Sequence, residues 1–483
     1  MKKVLLVAVV SLGLLAGSVS SVNATSDWGD AIAIPALIGL NTGSGAQGNS
    51  VSCASAGNCA VTGYYQSSAG DQGFVVNQTN GTWGDAIAIP ALSVLNTGDD
   101  AEGTSVSCAS AGNCAVTGYY DNGEGDYQGF VVNQTDGTWG SAIPIPALSV
   151  LNTGDDAQGT SVSCASAGNC AVTGYYDNGE GDYQGFVVNQ TGGTWGSAIP
   201  IPALSVLNTG DDAEGTSVSC ASAGNCAVTG HYDNGVGEQG FVVNQTGVTW
   251  GNAIPIPALI SLNTGGFAEG TSVSCASAGN CAVTGYYSAF GDGDEGFVVN
   301  QTDGTWGDAI PIPALISLNT GGDAEGTSVS CASAGNCAVT GSYRDGAGYQ
   351  GFVVNQTDGT WGNAIPIPAL SSINTAGSAE GNSVSCASAG NCAVTGFYTD
   401  SPGKQGFVVN QTNGTWGDAI AIPALIGLNT GDGAEGNSVS CASVGNCAVT
   451  GYYNDSSRLQ GFVVNFTSVV PPTDPAVVLK FTG

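Results

Sequence analysis

Sixteen cysteines fall into eight pairs with the spacing C-x5-C: Cys53/Cys59, Cys108/Cys114, Cys164/Cys170, Cys220/Cys226, Cys275/Cys281, Cys331/Cys337, Cys386/Cys392 and Cys441/Cys447. Two thiols so placed can close a short hairpin as a disulfide or supply thiolates to a metal. Zinc sites favour C-x2-C pairs completed by further Cys or His, and the chain has a single histidine. The spacing therefore points to eight structural disulfides, each worth about 2 kcal/mol for so short a loop in the chain-entropy account.

Carboxylates are the second set that could do chemistry. Asp99, Asp100 and Glu102, the matching Asp211, Asp212 and Glu214, and the run Asp292-Gly293-Asp294-Glu295 group oxygens of the kind calcium takes. Calcium at the first two groups is the one cofactor the sequence suggests, although no unit matches an established calcium loop. Paired carboxylates also hydrolyse glycosidic bonds, but that needs two carboxyls with different pKa values. A repeat that sets each acid in similar surroundings works against such a difference.

A tyrosine recurs in every unit, at Tyr65, Tyr120, Tyr176, Tyr232, Tyr287, Tyr343, Tyr398 and Tyr453. Beside loop carboxylates it could give a sugar a stacking surface with acceptors close by. It could equally pack between units with its hydroxyl wet. His231 stands where other units carry the preceding Tyr, so it reads as a substitution and not as a catalytic base. No Ser-His-Asp or Cys-His arrangement can be assembled. The Asn-x-Thr triplets from Asn77 to Asn465 match the glycosylation acceptor in form, and in a chain with a bacterial-type leader they read as turn-forming residues.

These residues repeat because the chain does. The first cysteines recur every 55 or 56 residues. The unit from Trp83 reads WGDAIAIPALSVLNTG, an acidic link, TSVSC, ASAGN, CAVTGYY, a variable acidic loop and QGFVVNQ. Four runs rich in Val, Ser, Thr and aromatics, separated by Gly, Asn and Asp, read as four strands, with no useful helical periodicity. Four strands at a period near 50 residues point to propeller blades. The chain opens on a lone fourth strand, Trp28 to Pro35, and its last unit, Asn437 to Thr467, lacks one. The expected architecture is thus all-β: an eight-bladed β-propeller over 25–467, four antiparallel strands per blade, with the N-terminal strand completing the last blade.

In such a ring the links between blades and the loops between second and third strands emerge on one face. They hold 29 of the 38 acidic residues. The bland account of this carboxylate face is solubility. The formal net charge of −32 makes nucleic acid and anionic membrane poor partners.

Met1-Lys2-Lys3, an apolar stretch from Val4 to Leu15 and small residues ending at Ala24 have the order of a secretory signal over 1–24. Ser18 stands where lipid anchoring would need a cysteine. Disulfides suit the secreted, extracellular or periplasmic space this implies. The tail 468–483 carries Pro471, Pro472 and Pro475 and lies outside the repeat, either as an added edge strand through its run Ala476 to Phe481 or as a loose end.

The S-V-S-C…C-A-V-x-G pattern followed by a G-T-x-W turn resembles the repeats of secreted bacterial β-propeller proteins, from Trp28 to Thr467. The turn Thr135-Asp136-Gly137-Thr138-Trp139 also looks like a shortened Asp-box of sialidase-type propellers. That family holds its substrate carboxylate with three arginines, whereas past the leader only Arg344 and Arg458 are present. The resemblance implies the fold. The reading that fits best is a non-enzymatic, multivalent binding or adhesion module taking an extracellular glycan or surface protein in equivalent grooves. The alternatives are a polysaccharide hydrolase or lyase at the central channel, with His231, Arg344 and Lys404 as its blade-specific residues, and a structural envelope component. N-terminal sequencing of the exported protein is expected to begin Thr25-Ser26-Asp27; an uncleaved leader would remove the secretion reading.

Overall fold

The computed structural model describes residues 26–468 except 180, 292 and 402, with backbone alone at 26, 27, 467 and 468. The expected leader, 1–24, and the tail beyond Ser468 lie outside the described residues. The chain forms eight antiparallel sheets, each a blade of strands a, b, c and d from the ring axis outward. In blade 1 these are Ala46–Ser55, Asn58–Ser67, Gly70–Thr79, and a d strand in two pieces, Thr82–Trp83 and Ile87–Ala88. Blades 2 to 8 begin their a strands at Ala101, Ala157, Ala213, Ala268, Ala324, Ala379 and Ala434.

Blade 8 is completed from the other end of the chain. Ser26–Trp28 and Ile32–Ala33 pair antiparallel with its c strand, Leu459–Ser468, in the register Trp28↔Phe466 and Ile32↔Val463. The expected closure is therefore observed.

Strands b and c are buried on both faces, which explains why they carry almost no charge. Val61, Phe74 and Val75 are fully buried, and so are their counterparts in blade 2, Val116, Phe130 and Val131. The core lies between blades. Ala60 and Val75 of blade 1 pack with Ile89 and Leu92 of the link and with Ala101, Val106, Val116 and Phe130 of blade 2. Thr62, fully buried within this stack, satisfies its hydroxyl by donating to the Phe74 carbonyl at 2.9 Å.

The inner a strands stand side by side, and each would present an unpaired backbone edge. Serine side chains pair it. Val106 N–H donates to Ser50 Oγ at 3.2 Å and Cys108 N–H to Ser52 Oγ at 2.9 Å. Thr104 Oγ1 donates onward to the Gly159 carbonyl of blade 3 at 2.7 Å. The pattern closes across the seam, where Val51 and Cys53 donate to Ser438 and Ser440, and Asn437 donates to the Gly48 carbonyl. Gly103 permits this close approach, since a Cβ there would sit 2.0 Å from Thr62 Oγ1.

At the outer rim, Trp139 Nε1 and Gln134 Nε2 donate to Asn77 Oδ1 of the preceding blade at 3.1 and 2.8 Å. The Asn-x-Thr asparagines are thus the acceptors of an inter-blade clip. The tryptophan arm of the clip recurs at seven junctions, from Trp83 to Trp416. At the eighth, Phe466 replaces the glutamine, Trp28 packs on its ring at 5.1 Å, and Trp28 Nε1 is buried without a partner.

The sequence showed no helical period, yet each link contains one turn of helix, such as Leu92–Leu95. Four residues are too few to register a period of 3.6. Each turn is entered through an alanine in the left-handed region, such as Ala91 at φ 62°.

All eight disulfides form, with Cα–Cα separations of 4.0 Å across the a–b hairpins: Cys53–Cys59, Cys108–Cys114, Cys164–Cys170, Cys220–Cys226, Cys275–Cys281, Cys331–Cys337, Cys386–Cys392 and Cys441–Cys447. The two halves of each bridge differ in burial. The second cysteines, Cys59, Cys114, Cys170, Cys226, Cys281, Cys337, Cys392 and Cys447, are buried among the core residues, whereas the first cysteine of each pair is only partly buried against that core. The reason is their strands: the second cysteine opens strand b, which is paired on both sides, while the first lies near the end of the inner a strand. The second sulfurs therefore serve as packing residues as well as cross-links.

Replacing Ser107 by Ala would orphan the Cys164 N–H, which Ser107 Oγ accepts at 2.9 Å. S107A is expected to lower stability in a denaturant titration by about 1–2 kcal/mol. Replacing Ser93, exposed in the link, is expected to change it by less than about 0.5 kcal/mol. Equal effects would remove the serine ring as a stabilising feature.

Candidate functional site

The ring has two chemically different faces. On one, the links and the b–c loops lie against each other: Thr97 and Gly98 N–H donate to the Asp121 carbonyl, and Asp121 N–H to that of Asp100. This is the acidic face expected from the sequence. On the other, the disulfide hairpins meet the c–d turns, with Gly137 N–H donating to the Gly112 carbonyl at 2.8 Å.

The second residue of strand a faces the acidic end at the inner wall. It is Glu102, Glu214, Glu269, Glu325, Glu380 or Glu435 in six blades and Gln47 or Gln158 in the other two. The first tyrosine of each Tyr-Tyr pair borders these acids: Tyr452 Oη donates to Glu435 at 3.0 Å and Tyr286 Oη to Glu269 at 3.3 Å. Burial raises the Glu325 pKa, and the nearby Asp294, Glu380 and Glu269 carboxylates raise it further. Burial likewise raises Glu102, Glu214 and Glu380.

The blade-specific residues sit in the same belt and are engaged there. Lys404 Nζ lies 2.8 Å from Glu435 and 3.6 Å from the centre of the Phe397 ring. Arg344 pairs with Asp323 at 3.4 Å. His231 Nδ1 is 3.9 Å from Glu269. Burial pulls the imidazole pKa down, and Glu269, Glu214 and Glu238 more than reverse it, so the net shift is upward.

The eight second tyrosines, Tyr65, Tyr120, Tyr176, Tyr232, Tyr287, Tyr343, Tyr398 and Tyr453, are buried at 4–7% exposure. The ring faces expected to stack on a ligand are therefore packed between strands; burial pushes the Tyr287 and Tyr343 phenols up to about 12. The residues expected to take calcium make separate contacts. Asp99 is engaged through its backbone N–H to Asp121 Oδ2, Asp100 Oδ2 accepts from Tyr127 Oη at 3.1 Å, and Glu102 is turned to Tyr119. Asp212 bonds through its carbonyl to Asp233 N–H, while Glu214 faces His231 and Asp211 stays in the link. Among the described residues no group of three or more His, Cys, Asp or Glu side chains is placed to hold a metal ion.

Partly open cavities lie on the disulfide face, away from the candidate ligand residues read from the sequence. Between blades 1 and 2 a cavity of 230 Å³ is lined by Asn58, Asn77, Gln78, Gln134, the Cys108–Cys114 bridge and Ala111. Equivalent cavities lie between blades 2 and 3 (230 Å³), 3 and 4 (140 Å³) and 5 and 6 (250 Å³). Their walls are carboxamides, hydroxyls, glycine backbone and a disulfide. The acids among them are Asp136 and Asp358, each in a c–d turn. Gln134 spends Nε2 on Asn77 Oδ1 and the Gly137 carbonyl, so its Oε1 remains an acceptor at the wall. The sequence signal was present, since Asn, Gln and Thr recur in the c strand end of nearly every unit, but only the packing of one blade's hairpin over its neighbour's c strand makes it a cavity.

No protein-family model and no curated protein matches this chain. Among solved structures, a Dyadobacter fermentans protein of unknown function is 11% identical with a TM-score of 0.40, over 91% of this chain and 99% of that one. The polysaccharide lyase Uly1 is 10% identical with a TM-score of 0.43, over 74% and 88%. The Xanthomonas campestris GH74 xyloglucanase is 11% identical with a TM-score of 0.38, over 90% of this chain and about half, 55%, of its own. No residue role is carried over from them.

The raised glutamates give a pH prediction. A carboxyl whose folded pKa exceeds its unfolded value favours folding when protonated, and that contribution is lost as pH rises through the folded value. E325Q, which installs the residue already present at Gln47 and Gln158, is expected to raise the melting temperature at pH 7 by about 1–2 °C. The gap should close below about pH 4, where the wild-type carboxyl is protonated in both states. A pH-independent difference would exclude the titration as its cause.

Proposed function

We propose that this protein is a secreted, non-enzymatic multivalent binding module whose ligand positions are the inter-blade cavities of the disulfide face, with neutral polyhydroxy groups of a glycan as ligand. The observation that carries this reading is the recurrence of one amide-lined cavity at successive junctions of a rigid ring. Carboxamides and hydroxyls both donate and accept, and so suit sugar hydroxyls. At 140–250 Å³ each cavity accommodates one small group, below the roughly 300 Å³ where pockets for larger ligands begin. Single contacts would be weak, and a polymer presenting repeated units would gain through effective concentration. Lys404 is committed to Glu435 at 2.8 Å and Arg344 pairs with Asp323 at 3.4 Å, which weighs against the hydrolase or lyase alternative at those two residues; His231 Nδ1, 3.9 Å from Glu269, is buried without a hydrogen-bond partner.

A glycan array of the exported protein, run with millimolar calcium and again with chelator, tests this. The expected result is binding in both conditions with several equivalent sites by calorimetry, and a stepwise loss of stoichiometry when Ala111 and its counterparts Ala167 and Ala334 are replaced by Trp. Binding that requires calcium would move the site to the acidic face. A single site lost on changing His231 or Arg344 would favour the enzyme, and silence in every arm with ordered self-association would favour the structural role.

A further inference from the structure

The eightfold repeat is broken along one arc of the outer rim. In blades 2 to 6 the outer d strand ends in Ile-Pro, with the prolines at 144, 200, 255, 311 and 366. In blades 7, 8 and 1 the same position is Ala421, Ala33 and Ala88. The register shows what this changes. Ile89 N–H donates inward to the Gly73 carbonyl at 2.9 Å, so the alternate residue, Ala88, directs its N–H away from the sheet. Proline there removes the outward donor and blunts the edge. Alanine leaves it open.

Two more departures coincide with the arc. Each open edge carries an exposed acid three residues before its alanine, at Asp418, Asp30 and Asp85, whereas four of the five proline blades have Ser141, Ser197, Asn252 or Asn363 and the fifth has Asp308. The junction of blades 7 and 8 also holds a cavity of 330 Å³ lined by Trp28, Asn410, Trp416, Asp418 and Ile420. Loss of the clip at this junction leaves the buried Trp28 Nε1 without a partner. An open backbone edge, an acid beside it and a largely apolar cavity are the parts of a strand-addition site.

We propose that this arc is a docking edge for an added β-strand, and that its occupant is the chain's own segment Ala476 to Phe481. That segment reads Ala-Val-Val-Leu-Lys-Phe, a β-forming run with Lys480 to meet the arc's carboxylates. The chain leaves the described residues at Ser468, paired with Ser26 on blade 8. Residues 469 to 475 can span about 23 Å from that point, where blade 8 carries its own open edge at Ala33. This inference is independent of the glycan reading.

The test is hydrogen exchange on the exported full-length chain, read at the amides of 476–481 and at Ala33 and Ala421. Docking is expected to slow exchange at 476–481 by at least about tenfold, and a chain ending at Ser468 is expected to lose the protection at Ala33 or Ala421. A33P/A88P/A421P copies the other five blades and so should fold; it is expected to release the protection of 476–481. K480E is expected to weaken it. Unprotected amides in the full-length chain, or protection that survives the three prolines, would overturn the proposal. So would protection that appears only with a doubled mass in light scattering, which would assign the edge to a second copy.

Discussion

The ring depends on how its innermost strands treat their free edges. In most sheets an edge strand must be covered or paired with backbone. Here the a strands of neighbouring blades form no backbone ladder with one another, and the serines of S-V-S-C supply the acceptors instead: each blade's Val and Cys N–H groups end on the previous blade's hydroxyls. One short side chain repeated at positions i and i+2 thereby joins eight separate sheets into one structure. It also fixes the spacing that the rest obeys. Gly103 and its counterparts must lack a Cβ because the Thr of the preceding blade, Thr62 for Gly103, already fills that volume.

Much of this architecture could be read from the chain, because a repeat turns weak local signals into strong ones. A Val-rich run flanked by Gly and Asn is ambiguous once and persuasive eight times. The unmatched fourth strand at Trp28 and the missing one after Thr467 gave ring closure, as the Trp28↔Phe466 register bears out. The site was less legible. Tyr65 and its equivalents suited both packing between blades and a stacking surface beside the acidic loops, and the choice between them rests on how a neighbouring blade covers strand b, which buries all eight. The C-x5-C spacing gave the bridges, yet it could not tell that Cys59 enters the core while Cys53 stays at its margin, because that depends on which strand a neighbouring blade covers. The cavities depend on the offset between one blade's disulfide hairpin and its neighbour's c strand, a relation between residues more than 50 positions apart, such as Asn77 and Gln134. No local pattern encodes such an offset.

The division of labour between the faces follows from desolvation. Clustered carboxylates must remain wet or pair with what is near, and the structure uses tyrosine hydroxyls, Lys404 and Arg344 for that purpose on the acidic face. Where burial still wins, as at Glu325, the proton is held more tightly. The disulfide face carries the opposite composition. Its cavities expose mainly carboxamides, hydroxyls and backbone, with Asp136 and Asp358 the acids among their walls, and the covalent bridge in each wall limits how far the hairpin can relax. On the proposed reading such walls would recognise a ligand by hydrogen-bond direction and not by attraction at a distance, while the carboxylates of the acidic face would keep a β-rich ring dispersed.

Departures from the repeat carry more information than the repeat itself. A ring with perfect symmetry has no reason to place proline on five outer edges and alanine on the three that adjoin its own closure, nor to exchange glutamine for Phe466 only where the chain's two ends meet. Proline at an edge protects against unwanted pairing, and its loss at Ala421, Ala33 and Ala88 is a liability unless something else covers those donors. The lost clip at Trp28 is a second cost at the same place, since a buried indole N–H without a partner forfeits its hydration. The strand proposed above would cover the outward donors of one such edge, whereas the Trp28 N–H is a separate cost, incurred where the chain's two ends close the ring and Phe466 stands in place of the clip's glutamine.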